Sequence, residues 1–313
     1  MRLRLANVLL LLALFFPAVQ AAPQAGSGEQ ASDLRFNVDT TLVVIPVIVT
    51  DQLNRFVLGL SKKDFHLFED GVEQTITHFS SEDAPLSVGL VFDTSGSMSD
   101  KLRTSRQAAF RFLTTLNAQD EVFLIEFNDR AELAAGFTNR TEEIQDKLTA
   151  VQPGGLTAML DAAQLALGEM KKARNPRKAI LIISDGGDNN SRYRAAEVES
   201  LVRQADVQMY AMGIFEPSFL TGSSTEEISG PRLLSQIAEQ TGGRAFSASD
   251  PRDLPNVAVR IGIELRNQYV LAYSPKNQKR DGTYRRVEIK VSKPAGVPDI
   301  KVHWRLGYYA ASK

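Results

Sequence analysis

The sequence predicts an α/β protein whose mostly parallel sheet carries helices on both faces, with one β segment before it and another after it. Residues 84–266 alternate short apolar runs with amphipathic stretches of helical period, as βαβ units do. The flanking residues 38–82 and 267–310 contain strand-like runs separated by turn signals. With 43% hydrophobic and 23% charged residues among 313, the chain can bury the core that such a fold needs.

The N-terminal β segment begins with a run of β-branched residues at positions 41–50. Pro46 interrupts this run, and since proline cannot donate a ladder hydrogen bond, we expect an edge strand or a bulge there. Further on, Phe65–Glu69 and Val72–Phe79 flank Asp70-Gly71, the two-residue signal of a β-hairpin.

The central region, which we expect to form one domain over residues 84–266, has two kinds of element. Four buried strands are predicted, with a hairpin partner for the second at Ala131–Phe137: Ser87–Phe92, Val122–Phe127, Ala179–Ser184 and Val207–Ile214. Helices are predicted between and after them: Lys101–Leu116, Thr141–Val151, Ala158–Lys172, Ala195–Ala205 and Pro231–Thr241.

The C-terminal β segment has three strand-like runs, at Gln268–Ser274, Tyr284–Val291 and Ile300–Tyr308. Each β segment has about 45 residues, too few to bury a sheet well alone. Because the ends of a doubly wound domain often lie close together, we expect the two segments to pair into one β-sandwich. The α/β domain would then be inserted between them.

The N-terminus has the three parts of a secretory signal peptide: Arg2 and Arg4, an apolar stretch from Leu5 to Val19, and small residues up to Ala21. We expect a signal peptide at 1–21 and a small, polar linker at 22–37. The alternative of an uncleaved anchor stays open. No later apolar run is long enough to cross a membrane. Export of a chain without cysteine indicates a secreted, periplasmic or cell-envelope protein of a bacterium.

Composition excludes several classes of function. A net charge of −1 argues against a nucleic-acid partner, which would require a basic excess. The absence of cysteine removes disulfides, thiolate metal sites and cysteine nucleophiles. The three histidines, His66, His78 and His303, all lie in the β segments and have no companion cysteine or carboxylate cluster.

Oxygen-bearing side chains follow the predicted strands and precede the helices of the central region. Asp93, Ser95 and Ser97 come directly after one strand, Thr157 precedes a helix, and Asp185 follows another strand. Loops at the carboxyl ends of parallel strands converge in one crevice, so we expect these five side chains to lie together. Two carboxylates and three hydroxyls suit Mg²⁺, or else Mn²⁺ or Ca²⁺.

This pattern resembles the metal-ion-dependent adhesion site of the von Willebrand factor A (vWA) domain. That signature is Asp-x-Ser-x-Ser, then a distant Thr and a distant Asp, and all five positions are present. The resemblance covers about residues 84–265; the flanking stretches VTDQLNRFVLGLSKKDFHLFEDG and QYVLAYSP look like those of a bacterial secreted vWA-related family. It implies that the serines, and often the threonine, contact the metal directly and that the aspartates act mostly through water.

The same resemblance implies a partner protein whose Asp or Glu carboxylate takes the open coordination position. Integrin-type vWA domains also use an Asp pair soon after the last serine for a neighbouring calcium ion. Here Lys101 follows Asp100, which argues against a second metal beside the first.

Two classes of function remain, with a third beside them. The first, which we favour, is a non-enzymatic, metal-dependent protein-binding or adhesion module. The second is a metal-assisted hydrolase; against it, the sequence has no phosphate-binding Gly-rich loop, no Gly-x-Ser-x-Gly elbow and no histidine near the acid cluster. The third is a structural envelope protein whose metal only stabilises the fold. Asp188-Asn189-Asn190 is either a rim of the metal site or an ordinary turn.

Overall fold

The computed structural model describes residues 42–213, 225–248, 250–293 and 299–312, with the helix alone given for 225–231. The predicted signal peptide at 1–21 and the linker at 22–37 lie outside the described residues. The described residues form one compact unit. The predicted boundaries between the β segments and the central domain stay predictions.

The described residues contain fourteen strands and six α-helices. The strands are β1 Val43–Asp51, β2 Phe65–Glu69, β3 Val72–Gln74, β4 Ile76–Ser80, β5 Leu86–Asp93, β6 Glu121–Phe127, β7 Ala131–Thr138, β8 Arg177–Ser184, β9 Gln208–Gly213, β10 Ala245–Ser247, β11 Tyr269–Tyr273, β12 Tyr284–Val291, β13 Ile300–Trp304 and β14 Gly307–Tyr309. The helices are α1 Leu102–Leu113, α2 Thr141–Ala150, α3 Met159–Glu169, α4 Ala195–Gln204, α5 Thr225–Gln240 and α6 Leu254–Arg266.

The central sheet has six strands in the order β10-β9-β8-β5-β6-β7. All pairs are parallel except β6 with β7, which form the predicted hairpin. All eight residues of β5 are buried, as its apolar sequence predicts for the middle of a sheet that is covered on both faces. The predicted α/β architecture is confirmed.

Helices cover both faces of this sheet. In β5, Leu90 and Phe92 point into the core that contains α1, α2 and α6. Val91, on the opposite face, packs in a second core with α3, α4 and α5. This alternation follows from the two-residue period of a strand.

The terminal β segments pair with each other as predicted. One sheet has the order β13-β1-β11-β4 and the other β14-β12-β2-β3, so each sheet contains strands from both ends of the chain. The two sheets share one hydrophobic core, in which Ile45 and Leu67 meet Leu271 and Ile289. Ile48 points the other way and joins the core of the central domain, so β1 contacts both layers.

Strand β1 corrects the edge-strand expectation for Pro46, because β1 lies between β11 and β13. The ladder with β11 runs from Val43 to Val47, whereas the ladder with β13 begins at Val47. Pro46 therefore has a neighbouring strand on one side only, and its missing N–H leaves no ladder bond unmade.

Several elements differ from the sequence prediction. The predicted strand Val72–Phe79 is two strands, β3 and β4, and the predicted strand Ile300–Tyr308 is also two, β13 and β14; in each case the two strands lie in different sheets. Helix α6 and strand β10 have no predicted counterpart, and α5 begins at Thr225 instead of Pro231. Among the described residues, none of the helices combines the length and the apolar character needed to cross a membrane.

Candidate metal centre

The candidate site begins at the carboxyl end of β5, the inner strand between β6 and β8. Asp93 is the last residue of this strand, and its side chain is fully buried. Thr94 turns the chain toward β6, donating its N–H and its hydroxyl to the carbonyl of Phe127, at 2.8 and 3.0 Å. The turn places the following serines above the end of the sheet.

Both oxygens of Asp93 accept hydrogen bonds. The Ser95 N–H donates to Oδ1 at 2.8 Å, and the Ser184 hydroxyl donates to Oδ2 at 2.6 Å. The Gly186 N–H in turn donates to the Ser184 hydroxyl at 3.0 Å. Burial raises the pKa of the Asp93 carboxyl to about 6; the Ser184 and Ser95 hydrogen bonds oppose this rise, and the charge of Asp185 adds to it.

The two serines lie side by side next to this buried carboxylate. Ser95 Oγ and Ser97 Oγ are 3.1 Å apart. Ser95 is buried, whereas Ser97 is exposed on a short 3-10 helix, Gly96–Met98. The buried side chain of Met98 anchors this helix in the core. The site therefore extends from the interior to the surface within five residues.

Thr157 is brought to this end of the sheet by the loop before α3. Gly96 N donates to the carbonyl of Gly155 at 3.0 Å, and Gly154 N donates to the carbonyl of Thr94 at 2.9 Å. These two bonds connect the loop that carries Thr157, here called the threonine loop, to the loop that carries Ser95 and Ser97. Gly155 has a φ of +81°, and a Cβ on it would lie 2.7 Å from Asp129 Oδ2. Only glycine fits there without strain.

Asp185 follows β8 and is mostly buried. Its Oδ2 accepts a hydrogen bond from Lys101 Nζ at 3.2 Å, and the two side chains are only 11% and 13% exposed. A Cβ built on Gly187 would lie 3.9 Å from Asp185 Oδ1 and 4.0 Å from Thr157 Oγ1. The second carboxylate oxygen and the threonine hydroxyl thus border the same small space.

The segment Asp188-Asn189-Asn190 is a rim that holds the threonine loop in place. Asn189 Oδ1 accepts from the Thr157 N–H at 2.8 Å, and the Thr157 carbonyl accepts from the N–H groups of Asn189 and Asn190. Asp188 Oδ2 accepts from the Leu160 N–H at the start of α3. Of the two interpretations of this segment, the structure supports the rim.

Carboxylate and hydroxyl oxygens are donors of the kind that a hard divalent cation prefers. In octahedral Mg²⁺ coordination the ligand distance of about 2.1 Å places neighbouring oxygens about 3.0 Å apart, close to the spacing of the two serine hydroxyls. Among the described residues, three or more His, Cys, Asp or Glu side chains do not come together anywhere in a metal-binding group. A cation at this site would therefore depend on hydroxyl oxygens in addition to the two carboxylates.

Sequence reasoning missed the residues that support the site. Ser184, Lys101 and Asp129 each contact the candidate ligands or their loops from more than 25 positions away in the chain. Ser184 precedes Asp185 at the end of a predicted strand, which was the only signal available for it. Nothing in the spacing alone indicated the contact between Lys101 and Asp185.

A comparison with known families bears on this geometry. Residues 88–187 match the family model described as the von Willebrand factor type A domain. The matched segment contains all five candidate ligands. It covers strands β5 to β8, so the vWA likeness rests on the part of the chain that carries the site.

Two solved structures are similar in fold to the chain. One is a von Willebrand factor type A protein from Catenulispora acidiphila, 14% identical, with a TM-score of 0.50 over 90% of this chain and 76% of that one. The other is proximal thread matrix protein 1 from the mussel byssus, 19% identical, with a TM-score of 0.50 over 63% of this chain and 51% of that one. At these identities the likeness concerns the fold.

A curated relative is the "Uncharacterized protein" of Borreliella burgdorferi, which is 24% identical over 188 residues. The match covers 53% of this chain and 55% of the relative, so the chain spans about half the length of the curated relative it matches.

Proposed function

We propose that this protein is a metal-dependent protein-binding module, secreted or held in the cell envelope of a bacterium. A divalent cation, Mg²⁺ before Mn²⁺ or Ca²⁺, would be held by Asp93, Ser95, Ser97, Thr157 and Asp185. A bound cation supplies an open coordination position for a carboxylate oxygen. The partner would therefore be a protein that presents an Asp or Glu side chain at this face.

One observation carries the proposal: two serine hydroxyls 3.1 Å apart lie beside a buried carboxylate, where the site meets solvent. A buried ionised Asp93 with no cation is costly, as its raised pKa shows. A cation would compensate this charge, while the exposed Ser97 leaves the site open toward a partner.

The five candidate ligands contribute two kinds of oxygen, charged and neutral. Asp93 and Asp185 supply negative charge from the ends of two neighbouring strands, β5 and β8. Ser95, Ser97 and Thr157 supply neutral oxygens, so only the two aspartates contribute negative charge to the ligand set. A hard divalent cation prefers oxygen ligands, and a partner's carboxylate oxygen can take a position that these side chains leave open.

A non-enzymatic role agrees with the distribution of histidine. His66 lies in β2, His78 in β4 and His303 in β13, all in the sandwich. No histidine lies in the central domain, so the hydrolase alternative lacks the residue most often used as a general base. The leading segment with its two arginines and apolar run supports export.

Metal binding is tested with the full chain after removal of metal by EDTA. Mg²⁺ is titrated by calorimetry, and thermal melting is recorded with Mg²⁺ and with EDTA. We expect the wild type to bind Mg²⁺ and to melt at a higher Tm in its presence. At a Mg²⁺ concentration of 100 times Kd, the free energy of unfolding should rise by about 2.7 kcal/mol. Asp93→Ala should lose both, and Asp146→Ala, which removes an exposed carboxylate on α2, should retain both. An equal Mg²⁺ shift in Asp93→Ala would show that the ion binds elsewhere.

Partner chemistry is tested by selecting a random peptide library on the immobilised protein in Mg²⁺ and eluting with EDTA. We expect the recovered peptides to share an Asp or Glu whose amide variant no longer binds. Peptides without an acidic residue, or binding that survives EDTA, would contradict the proposal. Mg²⁺ stabilisation without any recovered peptide would favour the structural alternative.

A further inference from the structure

Lys101 is built into the candidate metal centre. Its N–H donates to the carbonyl of the buried Met98 at 2.9 Å, and its carbonyl accepts from the N–H and the hydroxyl of Ser105, each at 2.9 Å. From this fixed position at the start of α1, its ammonium group reaches Asp185 Oδ2. Since its side chain is only 13% exposed, the interaction is shielded from bulk solvent.

We propose that Lys101 sets the charge balance of the site, weakening cation binding while strengthening the binding of an anionic partner. The inference rests on the proposed function, because it assumes a divalent cation on the five ligands. It adds a residue that contacts one ligand, Asp185, and determines what the loaded site attracts.

The net charge of the site determines which ligands it attracts. With both carboxylates ionised, Asp93, Asp185 and Lys101 together carry a charge of −1. A divalent cation changes this to +1, so the loaded site still attracts a carboxylate. Without the lysine, the carboxylates and the cation would sum to zero, and a partner carboxylate would lose this long-range attraction.

The lysine contacts one of the two carboxylate oxygens of Asp185. Its ammonium group contacts Oδ2 of Asp185, while Oδ1 borders the space next to Thr157 Oγ1. A cation near the threonine can thus use Oδ1 while the lysine stays on Oδ2. Repulsion between the two positive charges then lowers cation affinity without blocking the site.

Removal of the lysine charge should have opposite effects on the two ligands. In Lys101→Met we expect Mg²⁺ to bind roughly tenfold more tightly, the change that about 1.4 kcal/mol of relieved repulsion produces. Acetate, as a minimal carboxylate, should bind the Mg²⁺-loaded variant several-fold more weakly than the loaded wild type. Calorimetry measures the first affinity, and amide chemical shifts of the full chain measure the second.

Three variants sharpen the test. Lys101→Arg keeps the charge and should behave like the wild type, and Lys171→Met, which removes an exposed lysine after α3, should change neither affinity. If Lys101→Met does not fold, Lys101→Gln removes the charge while keeping a hydrogen-bond donor for Asp185 and should show the same two opposite effects.

The outcomes separate this inference from the proposed function. Equal or weaker Mg²⁺ binding in the neutral variants overturns the role of Lys101, as does unchanged acetate binding, even though wild-type Mg²⁺ binding supports the metal site. Absence of Mg²⁺ binding in the wild type, or its persistence in Asp93→Ala, overturns the proposed function itself and the inference with it.

Discussion

At the scale of single residues, the site depends on backbone positions as much as on its oxygen ligands. Thr157 is placed by Gly155, whose left-handed conformation lets Asp129 approach closely enough to accept from the Leu156 N–H at 2.8 Å. Asn189 completes this by accepting from the Thr157 N–H. The ligand residue therefore has its backbone fixed from two sides.

Gly155→Ala should disturb the loop that carries Thr157. The new methyl group would overlap the Asp129 carboxylate at a φ that alanine rarely adopts, so we expect a loss of about 1–3 kcal/mol in unfolding free energy. Mg²⁺ affinity should fall as well, because Thr157 would shift. Urea denaturation and calorimetric titration measure the two effects.

The adjacent Gly154→Ala is the matched control. A Cβ there meets nothing within 4 Å, and its φ lies outside the left-handed region. Neither stability nor Mg²⁺ affinity should fall in this variant. Equal losses in both variants would mean that the loop tolerates no side chain at all, contrary to the role assigned to Gly155.

At the scale of elements, the sequence predicted those strands and site positions that depend on local hydrophobic periodicity. The buried strands β5, β6 and β8 follow from their apolar runs, and the positions of the five candidate ligands follow from the ends of these strands. The contacts of Ser184 with Asp93 and of Lys101 with Asp185 could not be predicted, since each joins residues more than 80 positions apart.

Helix α6 was not predicted because its sequence combines helix-breaking residues with an alternation that is typical of a strand. LPNVAVRIGIELR contains a proline, a glycine and four β-branched residues that alternate with others, a pattern closer to a strand. In the structure, tertiary packing decides: Leu254, Ala258, Ile261 and Leu265 fit the core shared with α1. Pro255 lies in the first turn, where its missing N–H does no harm.

The close approach of α6 to the end of α1 gives an element-scale prediction. A Cβ on Gly262 would lie 2.0 Å from Thr115 Oγ1, so Gly262→Ala must push the two elements apart. We expect a loss of about 1–3 kcal/mol from this overpacking, despite the better helix propensity of alanine. Gly168→Ala in α3, where nothing lies within 4 Å, should instead gain about 0.5–1 kcal/mol. Stabilisation by both substitutions would contradict the close packing; chemical denaturation distinguishes the two results.

At the scale of the whole molecule, polar contacts tie the sandwich to the central domain. Arg244, just before β10, donates to Glu264 Oε2 of α6 at 2.8 Å and to Asn54 Oδ1 in the β1–β2 connection at 3.1 Å. Glu264 is fully buried, and burial raises its pKa, although Arg244 opposes the rise. Loss of this arginine would leave the buried Glu264 carboxylate without its ion-pair partner and would remove one of the polar contacts between the sandwich and the central domain.

The same interface predicts how stability responds to acid. His303 in β13 lies opposite Ile48 of β1, and its Nε2 has no hydrogen-bond partner among the described residues. Burial lowers the pKa of His303 from 6.5 to about 4, and the positive charges of Arg244 and Lys301 add to this. The folded protein therefore keeps the ring neutral where the unfolded chain would protonate it.

The unfolding free energy should thus fall as pH drops from about 6.5, and this contribution should level off below about pH 4, where the folded form also takes up the proton. Urea denaturation in EDTA at pH 7, 6, 5 and 4 measures it in the wild type and in His303→Gln. The variant should lose less stability over this range, while His78→Gln, an exposed ring on β4, should behave like the wild type. Because other groups titrate in the same range, the difference between wild type and variant isolates His303. Identical slopes in the wild type and His303→Gln would show that this ring is protonated equally in both states, and that the interface does not exclude its charge.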